Sequence, residues 1–81
     1  MVEVDYHDDF QKAWGKIDSS LQIRVKKQIE KILENPEIGK PMRFARKGTR
    51  EVYIPPFRLS YEYYKEKNKV TILDLYHKDE Q

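Results

Sequence analysis

Phe57-Arg58-Leu59-Ser60-Tyr61-Glu62-Tyr63-Tyr64 is the stretch on which the fold turns. Phe57, Leu59, Tyr61 and Tyr63 fall on one side, and Arg58, Ser60, Glu62 and Tyr64 on the other. Alternation of period two over such a run is the pattern of a strand with one covered face. The covered side takes the large apolar residues, so Arg58 is expected on the opposite side of the sheet.

The neighbouring segments extend this strand into a sheet. Lys65-Glu66-Lys67-Asn68 reads as a polar hairpin turn, and Val70 to Tyr76 as the last strand. Its Ile72-Leu73 and Leu75 indicate a place inside the sheet rather than at its edge. Upstream, Pro55-Pro56 interrupts a strand over Arg50–Ile54, where Val52 and Ile54 alternate with Glu51 and Tyr53. A short strand over Met42–Arg46 is also expected.

The N-terminal part is helical after one short strand. Val2, Val4 and Tyr6 alternate with Glu3 and Asp5. Asp8-Asp9 then opens a helix, since acids favour its positive end. Phe10, Ala13, Trp14 and Ile17 give it an apolar stripe about ten residues long. Ser19-Ser20-Leu21-Gln22 restarts a helix in the manner of a capping box, with Ser19 at the cap. Leu21, Val25, Ile29 (or Gln28), Ile32 and Leu33 form its stripe, and Asn35-Pro36 ends it. The predicted class is α+β: a single domain over residues 1–81, with an N-terminal strand and an antiparallel helix hairpin on one face of a small antiparallel sheet. The other face is left open, with Arg58 directed into it.

Charge distribution indicates the partner. The whole chain carries 16 basic and 14 acidic side chains, which nearly cancel. Between Lys40 and Arg58, however, there are six cations and one acid. Cations interleaved with aromatics suit a polyanion with stackable bases, which makes RNA or DNA the expected partner. Lys40, Arg43, Arg46, Lys47 and Arg50 are the candidate phosphate contacts, and Tyr53 and Tyr64 the candidate stacking residues on the open face. Five such contacts on a single strand give a log–log salt slope of about −3.5.

The absence of cysteine excludes a disulfide framework, a thiolate zinc site and a cysteine nucleophile. His7 beside Asp8 and Asp9 reads as a helix start, and no metal or cofactor is expected. The acidic N-terminal residues do not read as a signal peptide, and no apolar run approaches the ~20 residues of a membrane span. A cytoplasmic protein with no membrane association is expected.

Three segments together resemble the RelE/ParE superfamily of toxins from type II toxin–antitoxin pairs, the RelE-like members above all. They are Ile32-Leu33-Glu34-Asn35-Pro36, Lys47-Gly48-Thr49-Arg50-Glu51-Val52, and Phe57–Glu62 followed by Ile72-Leu73-Asp74-Leu75-Tyr76-His77-Lys78. The resemblance covers nearly the whole chain. It implies a RelE-like fold, a small RelB-like antitoxin partner in a heteromeric complex, and action as a ribosome-dependent messenger RNA endoribonuclease that inhibits translation. Messenger and ribosomal RNA would be its nucleic-acid partners. ParE-like members instead inhibit DNA gyrase without catalysis, and a catalytically weakened RNA- or antitoxin-binding module is a third expectation. Fold does not choose among these.

The resemblance also implies site residues. The family's strand arginine matches Arg58, whose planar fork suits phosphate oxygens. Its basic segment after the last strand matches Lys78, and some members use a histidine there, which points to His77 as an acid–base group. Strand alternation sends 77 and 78 to opposite sides, so only one of them faces Arg58. Two departures stand out. The family's later tyrosine has no counterpart unless Tyr76 or Tyr64 substitutes. Its paired lysines on the preceding strand are replaced, with Glu51 and Tyr53 at about those positions.

Overall fold

The computed structural model describes residues 2–42 and 48–80. Its elements are β1 (Glu3–Tyr6), α1 (Asp8–Trp14), α2 (Ser19–Glu34), β2 (Lys40–Pro41), β3 (Thr49–Ile54), β4 (Phe57–Tyr64) and β5 (Lys69–His77). Short 3₁₀ turns cover Lys65–Lys67 and Lys78–Glu80. The strands form one sheet in the order β1-β5-β4-β3-β2. The α+β class and the interior position of β5 are as expected. The expected strand over 42–46 lies outside the described residues apart from Met42, and β2 stands just before it.

One feature of the sheet departs from expectation. β1 runs parallel to β5, pairing Glu3 with Lys69 and Tyr6 with Ile72, so the sheet is mixed rather than wholly antiparallel. Alternating side chains identify the face of a strand but carry no information about its direction.

Both helices end where local chemistry stops them. α1 has seven residues rather than about ten, because Gly15 takes the C-cap and returns its N–H to Gln11. Ile17 lies beyond the helix yet still packs on the core. The N-cap of α2 is Asp18, not Ser19: its Oδ1 accepts from the Leu21 N–H at 2.8 Å. A carboxylate there satisfies an orphan donor and also meets the positive end of the helix. The Gln22 side chain, free of any capping-box role, donates to the Trp14 carbonyl at 3.0 Å and ties the two helices together.

The core lies between the helices and one face of the sheet. Phe10 from α1 and Val25, Ile29 and Ile32 from α2 meet Val52, Ile54, Leu59, Tyr61, Val70, Ile72 and Leu75. Each fully buried aliphatic side chain contributes about 1.5–3 kcal/mol. Arg24, on the outer side of α2, donates through Nη2 to the Pro55 carbonyl at 2.7 Å and fastens the helix to the β3–β4 turn. Among the described residues, no helix is long and apolar enough to cross a membrane.

Candidate functional site

Sheet register assembles the site. The two-residue turn Pro55-Pro56 pairs Ile54 with Phe57, and hence Tyr53 with Arg58 and Glu51 with Ser60. On the other side of β4, Arg58 pairs with Tyr76 and Ser60 with Asp74. Val52, Leu59 and Leu75 belong to the core, so their neighbours in sequence point away from the helices. The helix-free face therefore carries Glu51, Tyr53, Arg58, Ser60, Asp74 and Tyr76. Lys40, paired with Glu51 across β2, joins this face and is exposed.

Glu51 is the hub. Only 8% of it is exposed. Arg58 Nη1 donates to its Oε1 at 2.7 Å, and the Tyr76 hydroxyl donates to its Oε2. The Arg58 guanidinium also lies 5.8 Å from the centre of the exposed Tyr53 ring. The hydrogen bond to Glu51 raises the pKa of Arg58 above its ordinary value, against the opposing effect of desolvation. Arg58 Nε is buried and has no hydrogen-bond partner. One corner of the fork is thus engaged while its Nε–H donor is left unused.

The other candidates separate. His77 shares the helix-side face with Phe57, against whose ring it packs edge-on at 5.5 Å between ring centroids. Its Nδ1 accepts from the Asp79 N–H at 3.2 Å, and it lines a crevice with Asp9, Lys12 and Lys16. It is not brought to Arg58. Lys78 follows at the strand end, exposed, with its N–H bonded to the Pro56 carbonyl at 3.1 Å.

Arg50 points to the helix side, paired with the buried Tyr61. Its Nη1 donates to the carbonyls of Glu37 and Gly39 at 3.0 and 2.9 Å, which braces the α2–β2 connection. Tyr64 shares the face of Arg58 but stands six residues along β4, about 20 Å away at ~3.3 Å per residue. Burial and a hydrogen bond to Glu62 raise its pKa. Arg43, Arg46 and Lys47 lie outside the described residues.

Toward β1 the face turns acidic, with Asp5 and Glu62 flanking Thr71, and Lys69 is held by Asp5 at 2.6 Å. Among the described residues, no three histidine, cysteine or carboxylate side chains converge as a metal site.

Strand pattern alone does not bring Glu51 or Tyr76 to Arg58. Glu62 is the obvious acid on the arginine's own strand, but four residues of strand separate them by about 13 Å. The usable signal was Pro55-Pro56: a two-residue hairpin turn sets the register that brings Glu51 diagonally opposite Arg58. Chemically, the cluster joins a guanidinium fork with one donor unused, a carboxylate and a phenol that holds the carboxylate.

Comparison with known proteins agrees with this architecture. The E. coli RelE toxin in the intact RelBE toxin–antitoxin complex superposes with a TM-score of 0.82 at 22% identity, covering 95% of this chain and 96% of that one. The toxin–antitoxin complex RelBE2 from Mycobacterium tuberculosis gives 0.85 at 23% identity, covering 95% and 98%. The archaeal RelE–RelB complex from Pyrococcus horikoshii gives 0.77 at 15% identity, covering 99% and 98%. These likenesses concern the fold. No curated protein matches the chain. The family described as the ParE toxin of the type II toxin–antitoxin system, parDE, matches residues 4–81. The chain therefore belongs to the ParE toxin family of type II toxin–antitoxin systems, within the RelE/ParE superfamily.

Proposed function

We propose that this toxin is a metal-independent endoribonuclease that cuts messenger RNA on the ribosome and so inhibits translation. The observation that carries this reading is the cluster of Arg58, Glu51 and Tyr76 on the helix-free face, with Arg58 Nε–H unpaired. In such a reaction the ribose 2′-oxygen attacks the adjacent phosphorus, and the bond to the 5′-oxygen breaks. Arg58 stabilises the dianionic pentacoordinate species. Glu51, the described carboxylate in contact with Arg58, accepts the 2′-hydroxyl proton. Lys78, exposed where β5 ends beside the Pro56 carbonyl, is assigned to the leaving 5′-oxygen in place of His77, which lies on the other face. Tyr53 offers a ring for a splayed base. Lys40 and the basic segment after it supply phosphate contacts.

The neutralising partner is a small antitoxin, in keeping with several solved structures of the same fold that are toxin–antitoxin complexes. An apolar groove of about 470 Å³ between the helices, lined by Tyr6, Phe10, Trp14 and Ile29, suits an apolar segment of that partner. Inducing the toxin without its antitoxin is expected to stop translation and to create new transcript 5′ ends within codons, seen by primer extension. Arg58→Ala is expected to restore growth. Intact transcripts in arrested cells would refute the nuclease.

A second reading follows from the same ion pair. Glu51 stands at about the position where the resemblance implies lysine, and it already neutralises Arg58. That favours a non-enzymatic inhibitor of the gyrase type, for which induction would yield DNA damage with uncut messenger RNA.

A further inference from the structure

We propose that Glu51 is an internal stand-in for phosphate: its carboxylate occupies the anion seat of Arg58 until a nucleic-acid phosphodiester displaces it, and so sets how tightly the site takes a strand. The inference deepens the proposed function and rests on Arg58 being the phosphate clamp. Glu51 Oε1 lies 2.7 Å from Arg58 Nη1, the distance a charge-assisted bond to a phosphate oxygen would take. The seat is therefore filled, and the pair carries no net charge. The filling is incomplete, because Arg58 Nε–H is buried without a partner. A phosphodiester that takes this donor as well forms a bond that the carboxylate does not.

The geometry also provides for release. Glu51 is held at its second oxygen by Tyr76, so it keeps one hydrogen bond when it gives up Arg58. Neither group has to leave its strand. Displacing a fixed carboxylate opposes weak anions. A free phosphate brings only the contacts at Arg58, whereas a strand adds phosphates that reach Lys40 on the same face. Glu51 is in this sense a specificity-determining residue, which favours a polyanionic strand over single anions.

A fluorescent oligodeoxynucleotide, which lacks the 2′-hydroxyl and is not cut, separates binding from cleavage. Glu51→Gln keeps the side-chain shape and removes the competing charge. It is expected to bind the strand at least about tenfold more tightly, with a log–log salt slope steeper by about 0.7, the increment of one further phosphate. Tyr76→Phe, which removes the hydrogen bond that Glu51 keeps on giving up Arg58, is expected to weaken strand binding by a smaller factor. In the ¹⁵N-labelled wild-type protein, the Arg58 Nε–Hε resonance should shift as the strand saturates.

A folded Glu51→Gln protein with unchanged or weaker affinity and an unchanged slope would overturn the proposal. Should that variant fail to fold, unchanged affinity in Tyr76→Phe or an unmoved Arg58 resonance would do so equally. Cleavage of a ribo-strand on ribosomes is assayed in parallel. Tighter binding by Glu51→Gln with no cleavage by the wild type would sink the nuclease and leave this inference standing. Cleavage by the wild type without tighter binding by the variant would do the reverse.

Discussion

The hydroxyl of Tyr61 accepts the Gly39 N–H at 2.8 Å and donates to the Pro36 carbonyl at 2.7 Å. A fully buried phenol on β4 thus holds the connection that leaves α2 and sets the start of β2. Contact is so close that a Cβ on Gly39 would lie 2.5 Å from the hydroxyl oxygen and 2.9 Å from Cζ. Gly39→Ala must push the ring out of its site, at the cost of about 1–3 kcal/mol typical of overpacking. Tyr61→Phe fits the space but leaves two backbone groups unpaired, again about 1–3 kcal/mol. Thermal unfolding should record a loss of about 4–8 °C for each kcal/mol in a domain of this size. An unchanged midpoint in both variants would remove this lock from the account of stability.

The same phenol predicts an alkaline limit to stability. Burial raises the pKa of Tyr61 above the ordinary 10.0, because the ionised form loses hydration. In the unfolded chain the group ionises at its ordinary value. Its contribution is therefore complete below that value and is lost as pH rises through the higher folded one. Urea midpoints measured from pH 9 upward should decline, and the decline should be shallower in Tyr61→Phe. Equal slopes in the two proteins would contradict the assignment.

Side-chain shape, not charge alone, should govern the site. Arg58→Lys keeps the cation but gives up the fork and the Nε–H donor. It is expected to lower cleavage by about a hundredfold or more, the usual consequence of losing one preorganised donor. His77→Gln, on the other face against Phe57, should leave cleavage within a few-fold of wild type. Reporter-transcript cutting on purified ribosomes measures both. Loss of activity in His77→Gln with Arg58→Lys unaffected would move the chemistry to the crevice beside α1.

The strand that carries Arg58 was legible because its alternation is unbroken over eight residues. The helices were legible because their stripes repeat every three to four. Caps were less so: Asp18 and Ser19 are both good N-caps, and only the path of the chain decides between them. The direction of β1 left no mark on its pattern. At the site, the face of Arg58 follows from alternation, whereas its partner is a matter of register. Glu51 lies seven residues away in sequence yet closes at 2.7 Å across the hairpin. Tyr76 comes from a third strand, and nothing local links it to either. Arg50 shows the opposite limit of a sequence pattern. Counting cations treats every guanidinium as available, but carbonyls from a loop eleven and thirteen residues away had already claimed this one.

That difference can be measured. If Arg50 is a brace, Arg50→Met should lower the unfolding temperature, because the carbonyls of Glu37 and Gly39 lose a shared donor and the weak contact to Glu37 Oε2 at 3.9 Å is lost as well. Removing an intramolecular hydrogen bond typically costs about 0.5–1.5 kcal/mol, and somewhat more when the donor is charged. Single-stranded RNA affinity should respond little. The log–log salt slope should stay at the wild-type value, because Arg50 releases no counterion on binding. Lys40→Met should behave in the opposite way, leaving stability within about 0.5 kcal/mol, as for an ordinary surface change. Its slope should become shallower by about 0.7, one phosphate contact on a single strand. A slope that flattens in Arg50→Met while the melting temperature holds would mean that Arg50 leaves the loop carbonyls for the phosphate backbone when RNA binds.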